Sequence, residues 1–163
     1  MKHNIDIQNA LEPDPGSVPE YLPSNEQMES WSNFAMSDLK NVSDMTIRIV
    51  DADEIQSLNH AYRQKNQPTN VLSFPAEIPD EINLPLLGDI VICSSVVEKE
   101  AEVQQKSLES HWAHMVIHGT LHLLGYDHLN DVEATEMESK EIEILSHFGY
   151  SNPYIIKEVQ VKQ

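Results

Sequence analysis

Residues 111–128 read HWAHMVIHGTLHLLGYDH and hold five of the chain's eight histidines. His118 and His122 are four positions apart. On a helix this spacing puts both rings on one face, about 6 Å apart along the axis, so both imidazoles can reach one ion. Gly125 follows as a natural helix stop, because glycine accepts the left-handed conformation that such a stop uses. The chain can then turn back and bring His128 under the helix as a third ligand. Three neutral imidazoles leave a fourth coordination position for water and leave a divalent ion its full charge. That charge lowers the pKa of a bound water to about 7 and makes a nucleophile available near neutral pH. Three histidines suit zinc, although nickel, copper or iron would also bind.

The HxxxH pair alone equally fits two surface histidines. The added glycine and third histidine give HxxxHxxGxxH, the ligand spacing of metzincin proteases. One departure separates the chain from them. Zinc proteases place a glutamate directly after the first histidine as general base, whereas this position is Gly119. A zinc peptidase of that kind is therefore disfavoured.

Around this stretch, residues 107–124 read as a helix, flanked by helices over 94–104 and 131–148. Ser94 or Ser95 can cap the first of the flanking pair and Asn130 or Asp131 the second, which Gly149 can stop. Upstream, residues 3–8 alternate with Ile5 and Ile7 on one face and predict a strand. Pro13 to Pro23 carries four prolines and a glycine and predicts a loop. Ser24 with Gln27 forms a capping box before Met28, Trp31, Ala35 and Leu39 at helical spacing. A strand over 45–50 precedes a helix opened by Asp51 and Glu54, with Ile55, Leu58 and Tyr62 on one face. Residues 70–75 and 88–93 predict two more strands, joined through 79–87. The sum is an α/β (α+β) single domain over residues 1–150, with about four strands in a mixed sheet, about five helices and a zincin-like metal helix. A tail over 151–163 either docks or frays.

Composition bounds what this domain can do. Its 163 residues and 40% hydrophobic content suit one core. No apolar run reaches the roughly 18 residues of a membrane span. The opening MKHNIDIQNALEPDPG lacks the features of a signal peptide. Cys93 is the only cysteine, so no intrachain disulfide forms, which fits a cytoplasmic setting. The formal charge is −17, from 27 acidic and 10 basic residues. Such a body opposes binding to nucleic acid by bulk phosphate neutralisation. Any RNA substrate has to meet a local positive site made by a metal and a few basic side chains.

Arg63, one of two arginines, has a fork suited to a phosphate oxygen pair and to developing negative charge. It also fits an ordinary helix-end arginine. Lys65 either extends the same patch or is a solvated loop lysine. Asp127 can orient a ligand imidazole, serve as a base, or simply turn the chain. Asp89, acidic beside the apolar IVIC, either pairs with Arg63 or a histidine or faces solvent at a strand edge. His111 shares the ligand face but lies roughly 10 Å along the axis from His118, too far for ligation. It can line the cleft and touch substrate, or be a polar helix-start residue. His114 is expected to pack against the core. Ser73 and Thr69 can donate to phosphate or serve strand and turn. The acidic run 131–143 is expected to be a solvated helix face.

HGTLHLLGYDH at 118–128, NHAYRQKNQPTNVLSFP at 59–75 and LLGDIVIC at 86–93 resemble the YbeY family of bacterial endoribonucleases. The likeness covers about residues 45–148. It implies a metal-dependent, single-strand-specific endoribonuclease that matures the 3′ end of small-subunit ribosomal RNA and acts in ribosome quality control. It implies His118, His122 and His128 as zinc ligands and Arg63 as an arginine near the cleft, on phosphate. Its expected partners are ribosomal RNA and the small subunit, reached through other proteins. A non-catalytic metal-binding assembly factor is the main alternative, and a zinc peptidase the other.

Overall fold

Along the second strand of the sheet, Met45, Ile47 and Ile49 alternate with Thr46, Arg48 and Val50, and this period of two decides which side holds the main core. The computed structural model describes residues 2–12, 19–79, 81–82 and 84–155. Four strands, β1 (Asn4–Asn9), β2 (Asp44–Val50), β3 (Val71–Pro75) and β4 (Leu86–Cys93), lie in the order β1-β2-β4-β3. β1, β2 and β4 are parallel, and β3 runs antiparallel to β4 on the edge. Five helices complete the α/β domain: α1 (Asn25–Ala35), α2 (Ala52–Arg63), α3 (Ser94–Val103), α4 (Leu108–Leu123) and α5 (Asp131–His147).

The main core joins Met45, Ile47 and Ile49 to Ile90 and Ile92, then to Trp31 of α1, Trp112 to Leu121 of α4 and Ile144 of α5. On the opposite face Ile55 of α2 packs with Val50, Leu72, Val91 and Cys93. Most of α4 is buried, the polar His111, His114 and Thr120 included.

Local chemistry sets the helix boundaries. Ser24 and Gln27 form the expected capping box, Asp51 caps α2 through the Glu54 amide, and Asn130 caps α5 through the Glu133 amide. Neither Ser94 nor Ser95 caps α3; Cys93 stands at that position without a side-chain bond, because the strand runs directly into the helix. α1 ends at Ala35, before Leu39, which packs from the following turn. Tyr62 is 68% exposed and packs edge-on to Phe74, so it is not a core residue of α2. Residues 13–18 of the expected loop, Asp80 and Asn83 of the β3–β4 connection, and 156–163 of the tail lie outside the described residues.

Gly88 lets β3 and α4 close on β4. It sits at an irregularity in the β2–β4 register, with φ of +143°. A Cβ there would lie 2.4 Å from the Phe74 carbonyl oxygen and 2.9 Å from Leu123.

Candidate metal centre

α4 carries His118 and His122 on the flank that faces out of the core, where both are half-buried. The helix then stops in a Schellman motif. The Gly125 amide bonds to the His122 carbonyl, the Tyr126 amide to the Leu121 carbonyl, and Gly125 takes φ of +102°. No atom crowds a Cβ at Gly125, so this glycine serves backbone conformation alone. The reversal carries His128 back to the two helix histidines. Ring centroids are 5.1 Å apart for His122–His128 and 6.1 Å for His118–His128. One nitrogen from each of the three lies within 4.8 Å of the other two.

The arrangement fits a cation. The His118 and His122 Nε2 atoms are 3.2 Å apart. Tetrahedral zinc with bonds of about 2.0–2.1 Å would separate two ligand nitrogens by about 3.3 Å. His118 Nδ1 lies 2.6 Å from Glu141 Oε2, so its Nε2 is the nitrogen left for an ion. The pKa of His122 is lowered, first by burial and then by the neighbouring His118 and His128. A neutral ring is what ligation needs.

A cleft of about 1180 Å³ opens beside these rings and passes around the β3 edge. Arg63, Thr69, Ser73, Asp89 and Asp127 line it together with His118, His122 and His128. Arg63 ends α2 and, among the described residues, has neither hydrogen bond nor ion pair. The other arginine, Arg48, is held by Glu54 at 2.7 Å. Asp89 is exposed and, among the described residues, pairs with neither Arg63 nor a histidine. Asp127 accepts from the His128 amide at 2.8 Å and lies 4.0 Å from His122 Nδ1. It turns the chain beside the three histidines. Lys65 does not line the cleft. The Ser73 hydroxyl donates to the Gly119 carbonyl at 3.0 Å, tying β3 to α4, so it is committed within the protein.

His111 corrects the expectation of a cleft residue that touches substrate. It is 2% exposed, with Nε2 2.9 Å from Glu100. The same Glu100 carboxylate accepts from Asn70, just before β3, so His111 pins the start of α4 to α3 at a carboxylate that also holds the entry to β3. His114 is buried as expected, 2.8 Å from Glu141.

Glu141 is the residue that sequence reasoning missed. It lies in the acidic run of α5, yet it is fully buried, accepting at one oxygen from His118 and at the other from His114 and Tyr154. Burial by itself would raise its pKa, but the hydrogen bonds of His114 and His118 hold it down at about 2. A signal was present: Met137, Glu141, Ile144 and Leu145 share one helical face, and all four are buried. A carboxylate at such a position needs buried partners.

Gly119 faces the sheet rather than the cleft. A Cβ there would meet Ile90 at 3.0 Å and Val71 at 3.2 Å. A glutamate at this position has no room, so the missing zincin base follows from how tightly α4 sits on β3 and β4.

The solution structure of TM1509 from Thermotoga maritima is similar, with a TM-score of 0.56, 27% identity and 87% of each chain covered. The family model described as endoribonuclease YbeY matches residues 21–149. That span contains the sheet from β2 onward, all five helices, the three-histidine turn and Arg63, and on this match the chain belongs to the YbeY family of endoribonucleases.

Proposed function

We propose that the protein is a zinc-dependent, cytoplasmic endoribonuclease that cuts single-stranded RNA in maturing the 3′ end of small-subunit ribosomal RNA and in ribosome quality control. The observation that carries the reading is the gathering of His118, His122 and His128 at the wall of a cleft that also holds the unpaired Arg63. The gathered group contains three histidines and no carboxylate, which suits a catalytic site with an open position better than a four-ligand structural one. A divalent ion held there supplies a Lewis acid for a phosphoryl oxygen and acidifies water.

The chain's own residues supply orientation and charge. Arg63 reaches the cleft with its guanidinium unspent and stabilises negative charge developing on the phosphate. Asp127 holds the turn that presents His128. Asp89 lines the same cleft as an exposed carboxylate and is a candidate proton acceptor. The attacking group is water or the RNA 2′-hydroxyl, and the product ends distinguish them: a 2′,3′-cyclic phosphate marks internal attack.

The test is incubation of zinc-replete protein with ribosomal RNA, alongside His118→Ala and Arg63→Ala, with both ends of each product mapped. Cleavage by the wild type that is lost in folded His118→Ala supports the enzyme. Equal cleavage by both removes the metal from the reaction. A complete lack of cleavage, even on ribosomal particles, favours the non-catalytic assembly factor.

A further inference from the structure

Among the described residues Glu141 is the only buried carboxylate, and every close polar neighbour it has is accounted for. His118 Nδ1 approaches Oε2, while His114 Nε2 and the Tyr154 hydroxyl both approach Oε1. Tyr154 belongs to neither α4 nor α5 but to the segment after Gly149. That segment returns along α4: Tyr150 donates to Glu109 at 2.6 Å and packs edge-on to Trp31.

His114, His118 and Glu141 are also close enough to suggest a second cation site. Distances decide against it. His118 Nδ1–Glu141 is 2.6 Å and His114 Nε2–Glu141 is 2.8 Å. Both are hydrogen-bond lengths, shorter than the roughly 3.3 Å edge between two ligands of one zinc ion. His118 and His122 Nε2, at 3.2 Å, match that edge instead. The two faces of the His118 ring therefore have different jobs.

We propose that Glu141 and Tyr154 are positioning residues for the metal centre: Glu141 takes the Nδ1–H of His118, which fixes the ring with Nε2 toward His122 and His128, and Tyr154 locks the carboxylate from the C-terminal segment. His114 completes the lock from the opposite side through its own Nε2–H. Its Nδ1 is buried without a partner, the state expected of a neutral ring whose proton sits on the nitrogen facing Glu141. A ligand histidine whose second nitrogen donates to a carboxylate is held in one tautomer and one orientation. Here the carboxylate arrives from α5 and its lock from beyond α5, so the ligand geometry depends on parts of the chain remote from HxxxHxxGxxH. This role rests on His118 being a metal ligand.

The test has two readouts on the full chain. In metal-free protein, nitrogen-15 NMR of the imidazoles should show His118 protonated at Nδ1 and His114 at Nε2. Glu141→Gln and Glu141→Ala should move His118 away from that single tautomer. Competition against a chelating dye should show zinc bound about 10–100-fold more weakly in the Glu141 variants, and several-fold more weakly in Tyr154→Phe. Tyr154→Phe keeps the ring and its packing, so it carries the test even where Glu141→Ala does not fold. His118 protonated at Nε2 in the wild type overturns the proposal, as does unchanged zinc affinity in both Glu141→Gln and Tyr154→Phe. If the wild type shows the stated tautomers yet binds no zinc, the metal centre itself fails. Zinc binding that ignores the substitutions sinks the positioning role alone.

Discussion

At the scale of single residues, two positions separate function from stability. Arg63 has no partner within the described fold, so Arg63→Ala should change unfolding free energy by less than about 0.5 kcal/mol. Loss of one preorganised group that stabilises developing charge costs about 100-fold or more in rate. Urea unfolding beside an RNA-cleavage assay checks both numbers, and a fall in stability equal to the fall in activity would refute the split. Gly119 behaves in the opposite way. Gly119→Glu restores the residue type that zinc proteases carry, but it pushes a side chain into Ile90 and Val71. We expect about 3 kcal/mol of destabilisation and no peptidase activity, measured by thermal melting and a casein assay. Glu100 gives a pH signature. Burial would raise its pKa, but hydrogen bonds from His111 and Asn70 hold it below the ordinary 4.5. A carboxyl lowered on folding stabilises above its unfolded value, and that contribution disappears as pH falls through the folded one. Glu100→Gln should therefore cost stability at pH 6 and lose most of that cost well below pH 4.5. Urea midpoints across this range check the sign.

At the scale of elements, the caps were legible because capping chemistry is local. Ser24, Asp51 and Asn130 each announce a helix within three residues, and the same three residues hold the corresponding amides. The gathering of the three histidines was legible for the same reason, since His118, His122, Gly125 and His128 lie within eleven positions. What escaped was fixed by long-range packing. Glu141 is 23 residues from His118, and its charge alone does not distinguish it from the half-buried Glu138 or the exposed Glu143; only its spacing from Met137, Ile144 and Leu145 does. The burial of His111 was equally out of reach, because its partner Glu100 lies eleven residues away on α3. α3 starts at Ser94 without a cap because its first turn is continuous with β4, and no local signal marks that join. Two element-level expectations follow. Asn130→Ala removes the cap of α5 and should cost about 1 kcal/mol, read from a urea midpoint. Gly88→Ala meets both a strained φ and the Phe74 carbonyl, and should cost about 3 kcal/mol or more.

For the whole molecule, charge and topology set the terms on which a substrate is met. The body carries −17, and the cleft mixes Arg63 and the histidines with Glu54, Glu77, Asp89 and Asp127. Bare RNA should bind weakly, and what binding exists should fall further with salt. Cleavage should be stronger when ribosomal particles or protein partners deliver the RNA. Fluorescence anisotropy with a short single strand checks this, and tight binding insensitive to salt would contradict it.

The strand order also sets a pace. β1 pairs with β2, and β2 with β4, across separations of roughly forty residues each; only β3 and β4 are near neighbours in sequence. Parallel pairings of that kind must close large loops before any contact rewards them. Refolding should therefore be slow for so small a protein, with the β3–β4 pair able to form early and β1, held by one neighbour at the margin, the first strand to exchange its amide hydrogens.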